Sequence, residues 1–306
     1  MDRLYRELER KGLRFRPHVW LSSAWFSPDG VPGIAVPFYL AHPRLVRLER
    51  AQMLEVEGGT EIACMRLLRH EAGHAIDTAY RLHHRKLWRE TFGSFRAPYK
   101  ARYTHAPYTR SFVLHLHPWY AQSHPAEDYA ETFAVWLTPR SKWRERYAGW
   151  EALEKLEAVE TMMRDIADRP RAVRSRERTE RSSTLRLTLR EHYAQRKARY
   201  RQAPPQLADP FLRRLFAERA GSKRSSLSAA AFLRENRRTL RRAMASWTGL
   251  NAYSLEALLE GLIERCEGLG LRVPQEGQAE LLTEATVTLT VIVMNHLHAG
   301  HLQLPR

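Results

Sequence analysis

The sequence predicts an α+β protein that is mostly helical, with a small N-terminal sheet and a helical C-terminal extension. Runs rich in β-branched and aromatic residues, typical of strands, are confined to residues 19–26 and 31–40. Beyond these runs, apolar residues recur at helical spacing along most of the chain. The length of 306 residues allows a sizeable core and two domains, or one domain with a large extension.

The N-terminal part combines a charged helix with two extended segments. The first six residues are charged and amphipathic, and residues 19–26 look like a strand that ends in a turn at Ser27-Pro28-Asp29-Gly30. In residues 31–40, Pro37 removes a backbone donor. This segment is therefore expected to be an edge strand or an extended loop, and an apolar loop that covers the next helix is an equally good interpretation.

The pentapeptide His70-Glu71-Ala72-Gly73-His74 fits the pattern H-E-x-x-H. We expect a helix over residues 62–82, because Gly58-Gly59-Thr60 supplies a break and an N-cap before a run that lacks proline. On a helix, two histidines four residues apart lie one turn above each other, so both can reach one ion. Glu71 points about 100° away, where it can hold a polarised water. The pattern indicates a catalytic zinc site.

A catalytic zinc ion needs a third protein ligand from another element. A second helix is predicted over residues 125–137, because Pro125 suits the first helical position, Ser123 or His124 can cap it, and Thr138-Pro139 ends it. Glu127 and Glu131 lie four residues apart on one face of this largely apolar helix. Buried carboxylates need a cation or hydrogen-bond donors. Either glutamate could be the ligand, and the other would then accept a hydrogen bond from a ligating side chain.

Asp77 follows His74 by three residues on the same helical stripe. Its carboxylate could accept the second ring N–H of a ligating histidine and so fix the tautomer of that ring. The alternative is an ordinary surface carboxylate.

These motifs resemble those of the gluzincin metallopeptidases, most closely bacterial zinc-binding metallopeptidases related to Mlc titration factor A and to the anthrax lethal factor catalytic domain. The matching residues are His70 to Asp77, the Glu-x-x-Ala-Glu form at residues 127–131, and Tyr120, seven residues before Glu127. The resemblance covers roughly the first half of the chain. It implies one zinc ion held by His70, His74 and Glu127, with Asp77 and Glu131 in supporting roles.

The same resemblance implies hydrolysis of a peptide or protein substrate, with Glu71 as general base and Tyr120 stabilising the oxyanion. Zincin relatives pair peptide substrates to an edge strand, so residues 31–40 are the candidate strand. The 53-residue interval between His74 and Glu127 requires an inserted element. Residues 84–118, rich in aromatic residues, histidine and arginine, are expected to form one wall of the cleft.

The net charge of +16 comes from two windows, residues 164–201 and 213–242, which contribute +8 each. This Arg-rich surface could meet nucleic acid or an acidic partner, or it could reflect an arginine-rich composition without a function. The alternative to a peptidase is therefore an Arg-rich nucleic-acid-binding protein, or a regulatory zinc protein with little peptidase activity. Sparse aromatic residues among the basic clusters argue against stacked single-strand recognition.

The predicted organisation is a zincin-like metallopeptidase domain over residues 1–165, a basic linker or frayed helix over 166–184, and a helical Arg-rich region over 185–306. The last region should contain five helices, at residues 185–202, 209–220, 226–246, 254–268 and 276–298. The longest apolar run, residues 287–294, is too short to span a bilayer. With two cysteines and no secretory signal pattern, a cytoplasmic protein is expected.

Overall fold

A computed structural model describes residues 1–99, 106, 108–116, 119–200, 209–216, 227–273 and 278–298. The chain forms two compact units. The first unit consists of residues 1–51 and 56–186, and the second of residues 52–55 together with the chain from residue 187 onward. Over the described residues the protein is mostly helical with one small sheet, which confirms the coarse fold class.

The first unit begins with a helix, a two-stranded parallel sheet and a second helix. These are α1 (Asp2–Arg10), β1 (His18–Ser22), β2 (Gly33–Pro37) and α2 (Pro43–Met53). His18 pairs with Gly33 and Ser22 with Pro37. A Cβ atom at Gly33 would lie 2.5 Å from the His18 ring, so only glycine fits beneath that ring. Both strand predictions are confirmed, and Pro37 ends its strand as its missing donor requires.

Helix α3 (Glu61–Tyr80) is the long helix predicted over residues 62–82. Its start is fixed because Oγ1 of Thr60 accepts a hydrogen bond from the Ala63 amide at 3.2 Å. It ends at Arg81, which adopts the left-handed conformation with φ of 49°. Arg69 of α3 forms a buried bidentate ion pair with Glu7 of α1, with N–O distances of 2.7 and 2.8 Å. This ion pair links α1 to α3.

Helix α5 (Pro125–Leu137) follows α4 (Lys86–Phe92) and has the predicted bounds. His124 is its cap, because its Nδ1 accepts the Ala126 amide at 3.1 Å. All but its first residue are buried. The short α6 (Trp143–Arg146) and then α7 (Ala152–Ile166) complete the unit, and α7 packs on α5.

Helices α3 and α5 approach each other closely at Gly73. A Cβ atom built on Gly73 would lie 3.0 Å from Cα of Ala130 and 3.2 Å from the Phe133 ring. A side chain at residue 73 would therefore push the two helices apart. The glycine inside the H-E-x-x-H motif is thus explained by helix packing.

The basic segment after α7 has no α-helix, so the frayed-helix interpretation is wrong apart from one 3₁₀ turn at Ser182–Thr184. Amides of Ala172 and Val173 both donate to the carbonyl of Ala79, at 2.9 and 3.0 Å. Further along, the Trp20 ring N–H donates to the carbonyl of Thr179 at 2.8 Å. The arginines of this basic segment are mostly exposed, as expected. Its backbone is bound to the first unit, because it forms hydrogen bonds with the carbonyl of Ala79 on α3 and with the Trp20 ring on β1.

Five helices make up the described part of the second unit: α8 (Leu189–Tyr200), α9 (Asp209–Leu215), α10 (Ala229–Thr248), α11 (Ala252–Gly268) and α12 (Gln278–His298). They agree with the five predicted helices, although residues 201–202, 217–220, 226 and 276–277 of those predictions lie outside the described residues. Leucine, isoleucine and valine side chains from α9 to α12 form the core of this unit.

Several arginines of the second unit form ion pairs between its helices. Arg237 and Arg241 of α10 both bind Glu256 of α11, and Arg265 of α11 binds Asp209. Part of the positive charge that the sequence places in residues 213–242 is therefore neutralised locally. In the part of the chain that the structure describes, no helix is long and apolar enough to cross a membrane.

Replacing Gly73 by alanine should destabilise the protein, although alanine is the better helix former by about 1 kcal/mol. The new Cβ would press on the backbone of α5, and overpacking of this kind costs about 1–3 kcal/mol. Gly268, at the end of α11, is the matched control because a Cβ there meets nothing within 4 Å. We expect Gly268→Ala to stabilise the protein slightly. Urea denaturation of both variants would measure the two signs, and a stabilising Gly73→Ala would contradict the packing explanation.

Candidate metal centre

Two histidines of α3 provide adjacent nitrogen donors. His70 and His74 are one helical turn apart, and their Nε2 atoms are 3.1 Å from each other. His70 is almost fully buried, while 17% of the His74 side chain is exposed. The helix therefore presents both ring nitrogens at one point, with His74 toward the solvent side.

Glu127 of α5 supplies a third donor atom. Its Oε2 lies 3.1 Å from Nε2 of His70 and 3.3 Å from Nε2 of His74. We call these three atoms the donor triangle. Nitrogen and oxygen ligands at about 2.0–2.1 Å from a tetrahedral zinc ion are about 3.3 Å apart, so the observed separations fit such an ion. These three side chains form a group that could hold a metal ion.

Glu131 binds the other face of His70. Its Oε1 accepts a hydrogen bond from Nδ1 of His70 at 2.8 Å, and its Oε2 accepts the amide of Leu116, also at 2.8 Å. The two glutamates, which helix geometry alone could not separate, thus have different places, in agreement with the assignment that the resemblance implied. Glu127 lies in the donor triangle, whereas Glu131 fixes the tautomer of His70 and leaves the lone pair of Nε2 directed at the triangle.

The three atoms of the donor triangle are all acceptors when both histidines are neutral, so a proton or a cation would be favourable there. Burial lowers the pKa of His70, but Glu127 and Glu131 outweigh burial and raise it well above its ordinary value. Burial raises the pKa of Glu127, but His74 and His70 outweigh burial and hold it well below the ordinary range. In the absence of metal, a proton on the histidines relieves the repulsion, and a divalent ion would relieve it more fully.

Glu71 lies beside the donor triangle but outside it. Glu71 is 7% exposed as a residue, and its buried Oε2 accepts no hydrogen bond from any residue that the structure describes. Burial raises the pKa of Glu71, and the nearby histidines reduce this effect only in part. A buried carboxylate with a free oxygen and a raised pKa is well suited to accept and return a proton.

Tyr120 lies close to His70, with 5.7 Å between the two ring centroids. It begins a 3₁₀ turn, Tyr120–Gln122, immediately after Trp119, whose φ of 68° directs the chain into this turn. Burial, together with the charge of Glu127, raises the pKa of Tyr120 well above its ordinary value. Its hydroxyl therefore stays protonated and able to donate a hydrogen bond near neutral pH.

Tyr99 is a site residue that the sequence did not reveal. Its hydroxyl donates to Oε1 of Glu127 at 3.0 Å, so it holds the carboxylate oxygen outside the donor triangle. The Tyr99 ring stacks on His124, the cap of α5, with centroids 3.7 Å apart. No motif spacing connects Tyr99 to the site, and the only signal was its place in the aromatic segment 84–118.

Segment 84–118 contacts both glutamates, through Tyr99 and through the amide of Leu116. This agrees with its expected position along the cleft, although residues 100–105, 107 and 117–118 lie outside the described residues. His115 in this segment binds the carbonyl of Arg66 at 3.0 Å, and burial lowers its pKa to about 4.

Asp77 does not bind a ligating histidine, so that prediction is wrong. Its Oδ1 accepts the backbone amide of His83 at 2.8 Å and the Nδ1 proton of the same residue at 3.0 Å. Asp77 stands in the last turn of α3, where the donors in reach are those of the chain folding back after the helix. It therefore stabilises the end of α3.

The candidate strand for substrate pairing is partly occupied. The amide of Ala35, in the middle of β2, donates to the carbonyl of Phe26 at 2.8 Å. At this residue β2 cannot also pair with a peptide. Four of the five β2 residues are buried, so this strand also covers part of the interior, although it is not the apolar loop of the alternative interpretation.

Comparisons of the chain with protein-family models, with curated proteins and with solved structures found no match in any of the three. The functional interpretation therefore depends on the geometry of the site.

Replacing Tyr99 by phenylalanine should weaken zinc binding about tenfold, the effect typical of removing a hydrogen bond to a metal ligand. The ring and its stacking on His124 would remain, so Glu127 alone would lose its restraint. Competition with a chromophoric chelator would measure the affinity. Tyr108→Phe is the control because Tyr108 is 94% exposed. Equal zinc affinity in both variants would show that the Tyr99 hydroxyl does not position Glu127.

Proposed function

We propose that this chain is a zinc-dependent peptide hydrolase with a zincin-like site of the gluzincin type. The observation that carries the proposal is the donor triangle, with its separations of 3.1, 3.1 and 3.3 Å and the buried carboxylate of Glu71 beside it. Two imidazoles and one carboxylate form the ligand set of many hydrolytic zinc sites, which keep a further position open.

His70, His74 and Glu127 would hold the ion, and Glu131 and Tyr99 would orient two of these ligands. A zinc ion at this site would supply Lewis acidity to an attacking water and to a substrate carbonyl. The choice of zinc rests on the mixed nitrogen and oxygen donors, because magnesium and calcium prefer oxygen ligands alone.

Glu71 would act as the base in the hydrolysis of a peptide bond. Its free Oε2 would accept a proton from water as the new C–O bond forms at the carbonyl carbon. The same carboxyl group would return that proton to the amine nitrogen as the C–N bond breaks. The raised pKa of Glu71 favours both transfers because it brings the pKa of the base closer to neutral pH.

Tyr120 would donate its hydroxyl proton in a hydrogen bond to the carbonyl oxygen as negative charge develops there. Its raised pKa supports this role, since an ionised phenol could not donate. Peptides or proteins are the proposed substrates because the chemistry requires an acyl group with an amine leaving group.

Glu71→Gln should retain zinc and lose hydrolysis of a diverse peptide pool by at least about a thousandfold, because an amide of the same shape cannot accept the proton. Glu90→Gln, an exposed carboxylate on α4, is the matched control. Mass spectrometry of the peptides and zinc stoichiometry of each variant would be measured together. Parent-rate cleavage by Glu71→Gln would contradict the mechanism.

The alternative function is nucleic-acid binding or zinc-dependent regulation with little hydrolysis, and the observation in its favour is the pair of +8 windows. The ion pairs of Arg237, Arg241 and Arg265 leave less positive charge for a partner than the sequence suggests. We therefore expect only weak binding to duplex DNA at ~50 mM salt, falling steeply as salt increases. Tight duplex binding by a zinc-loaded chain that cleaves no peptide would favour the alternative.

A further inference from the structure

A second concave site lies in the first unit, at the C-terminal end of α3. It is a pocket of about 440 Å³ between the loop after α1, the end of α3 and the turn that follows α7. Its lining includes four arginines, one aspartate and one tyrosine: Arg14, Asp168, Arg169, Arg171, Arg174 and Tyr80. We call it the arginine pocket. Tyr80 is six residues beyond His74, about 9 Å along the helix, so the pocket is separate from the donor triangle.

The positive charge of the arginine pocket is not balanced by the described protein. None of its four guanidinium groups forms an ion pair or a side-chain hydrogen bond with a residue that the structure describes. With Asp168 included, the formal charge of the lining is +3. The carbonyl ends of α3 and α7 each contribute about half a negative charge at most. An excess of about two positive charges therefore remains. The partial negative charges of the two helix ends are too small to account for this excess.

The backbone of the arginine pocket is fixed in place. Amides of Ala172 and Val173 both donate to the carbonyl of Ala79, at 2.9 and 3.0 Å, and the amide of Arg169 donates to the carbonyl of Ile166 at 3.0 Å. These bonds attach the loop that carries three of the arginines to the ends of α3 and α7. The arginines are thus held near each other despite their mutual repulsion, which is the arrangement expected of a site for an anion.

We propose that the arginine pocket binds a compact ligand with phosphate groups that carries at least two negative charges. Guanidinium groups match the oxygens of phosphate with paired N–H donors, and the charge excess of about two favours phosphate over a single carboxylate. The pocket is open to solvent, and its volume of about 440 Å³ suits a small ligand, whereas a nucleic-acid backbone needs an extended basic strip. This inference is independent of the proposed hydrolysis.

Calorimetric titration of the full chain with pyrophosphate at ~50 mM salt tests the proposal. The pocket variant is Arg169→Gln with Arg171→Gln. The control is Arg44→Gln with Arg47→Gln, which removes the same charge from exposed positions of α2 outside the pocket. A third variant, Arg169→Lys with Arg171→Lys, keeps the charge. A labelled 20-base-pair duplex, followed by fluorescence anisotropy, forms a second arm with the same variants.

We expect one pyrophosphate to bind per chain, with affinity reduced at least about tenfold in the Gln pocket variant and unchanged in the control. The Lys variant should lie between the parent and the Gln variant. No saturable binding, or equal loss in pocket and control variants, would overturn the proposal. Duplex binding that depends on the pocket, without pyrophosphate binding, would overturn the assignment of a compact ligand.

Discussion

The close approach of α3 and α5 at Gly73 and Ala130 is the constraint on which the site depends. Within one helical turn of this contact lie His70 and His74 on α3, and Glu127 and Glu131 on α5. A Cβ atom at residue 73 would lie 3.0 Å from Cα of Ala130, so this contact limits the distance between the helices that carry the three donor atoms. Glycine within a helix costs about 1 kcal/mol relative to alanine, and the buried packing of α5 offsets this cost.

Hydrogen-bond acceptors are concentrated in the buried region around the contact between Gly73 and Ala130. The donor triangle contains a carboxylate oxygen and two ring nitrogens, and Glu71 and Glu131 add two more buried carboxylates. Hydrogen bonds from Leu116 and Tyr99 satisfy some of their oxygens, and among the described residues no lysine or arginine forms an ion pair with Glu127. Such an arrangement is expensive in an interior of low dielectric unless a cation occupies its centre. The buried acceptors and the distances between the donor atoms therefore both fit a metal ion held by His70, His74 and Glu127.

Local signals in the sequence were sufficient for the helices that carry the site. Thr60 caps α3 and Pro125 begins α5, so both bounds followed from residues at the helix ends. Three features involve residues far apart in sequence: the pairing of β1 with β2, the contacts of the non-helical segment 167–181, and the hydrogen bond from Tyr99. The role of Asp77 was predicted wrongly because its position on the helix fixes only the direction of its side chain. That position does not predict that His83, in the chain after the helix, contacts the side chain. Glu127 and Glu131 share a helix face, so helix geometry left both roles open, and their different contacts with His70 and His74 distinguish them.

The central claim is that His70, His74 and Glu127 bind one zinc ion. Anomalous diffraction at the zinc absorption edge, from crystals of the zinc-loaded chain, tests it most directly. The account predicts a single strong peak within about 2.1 Å of Nε2 of both histidines and of one carboxylate oxygen of Glu127. A peak at other residues, or no peak in the donor triangle under saturating zinc, would contradict it.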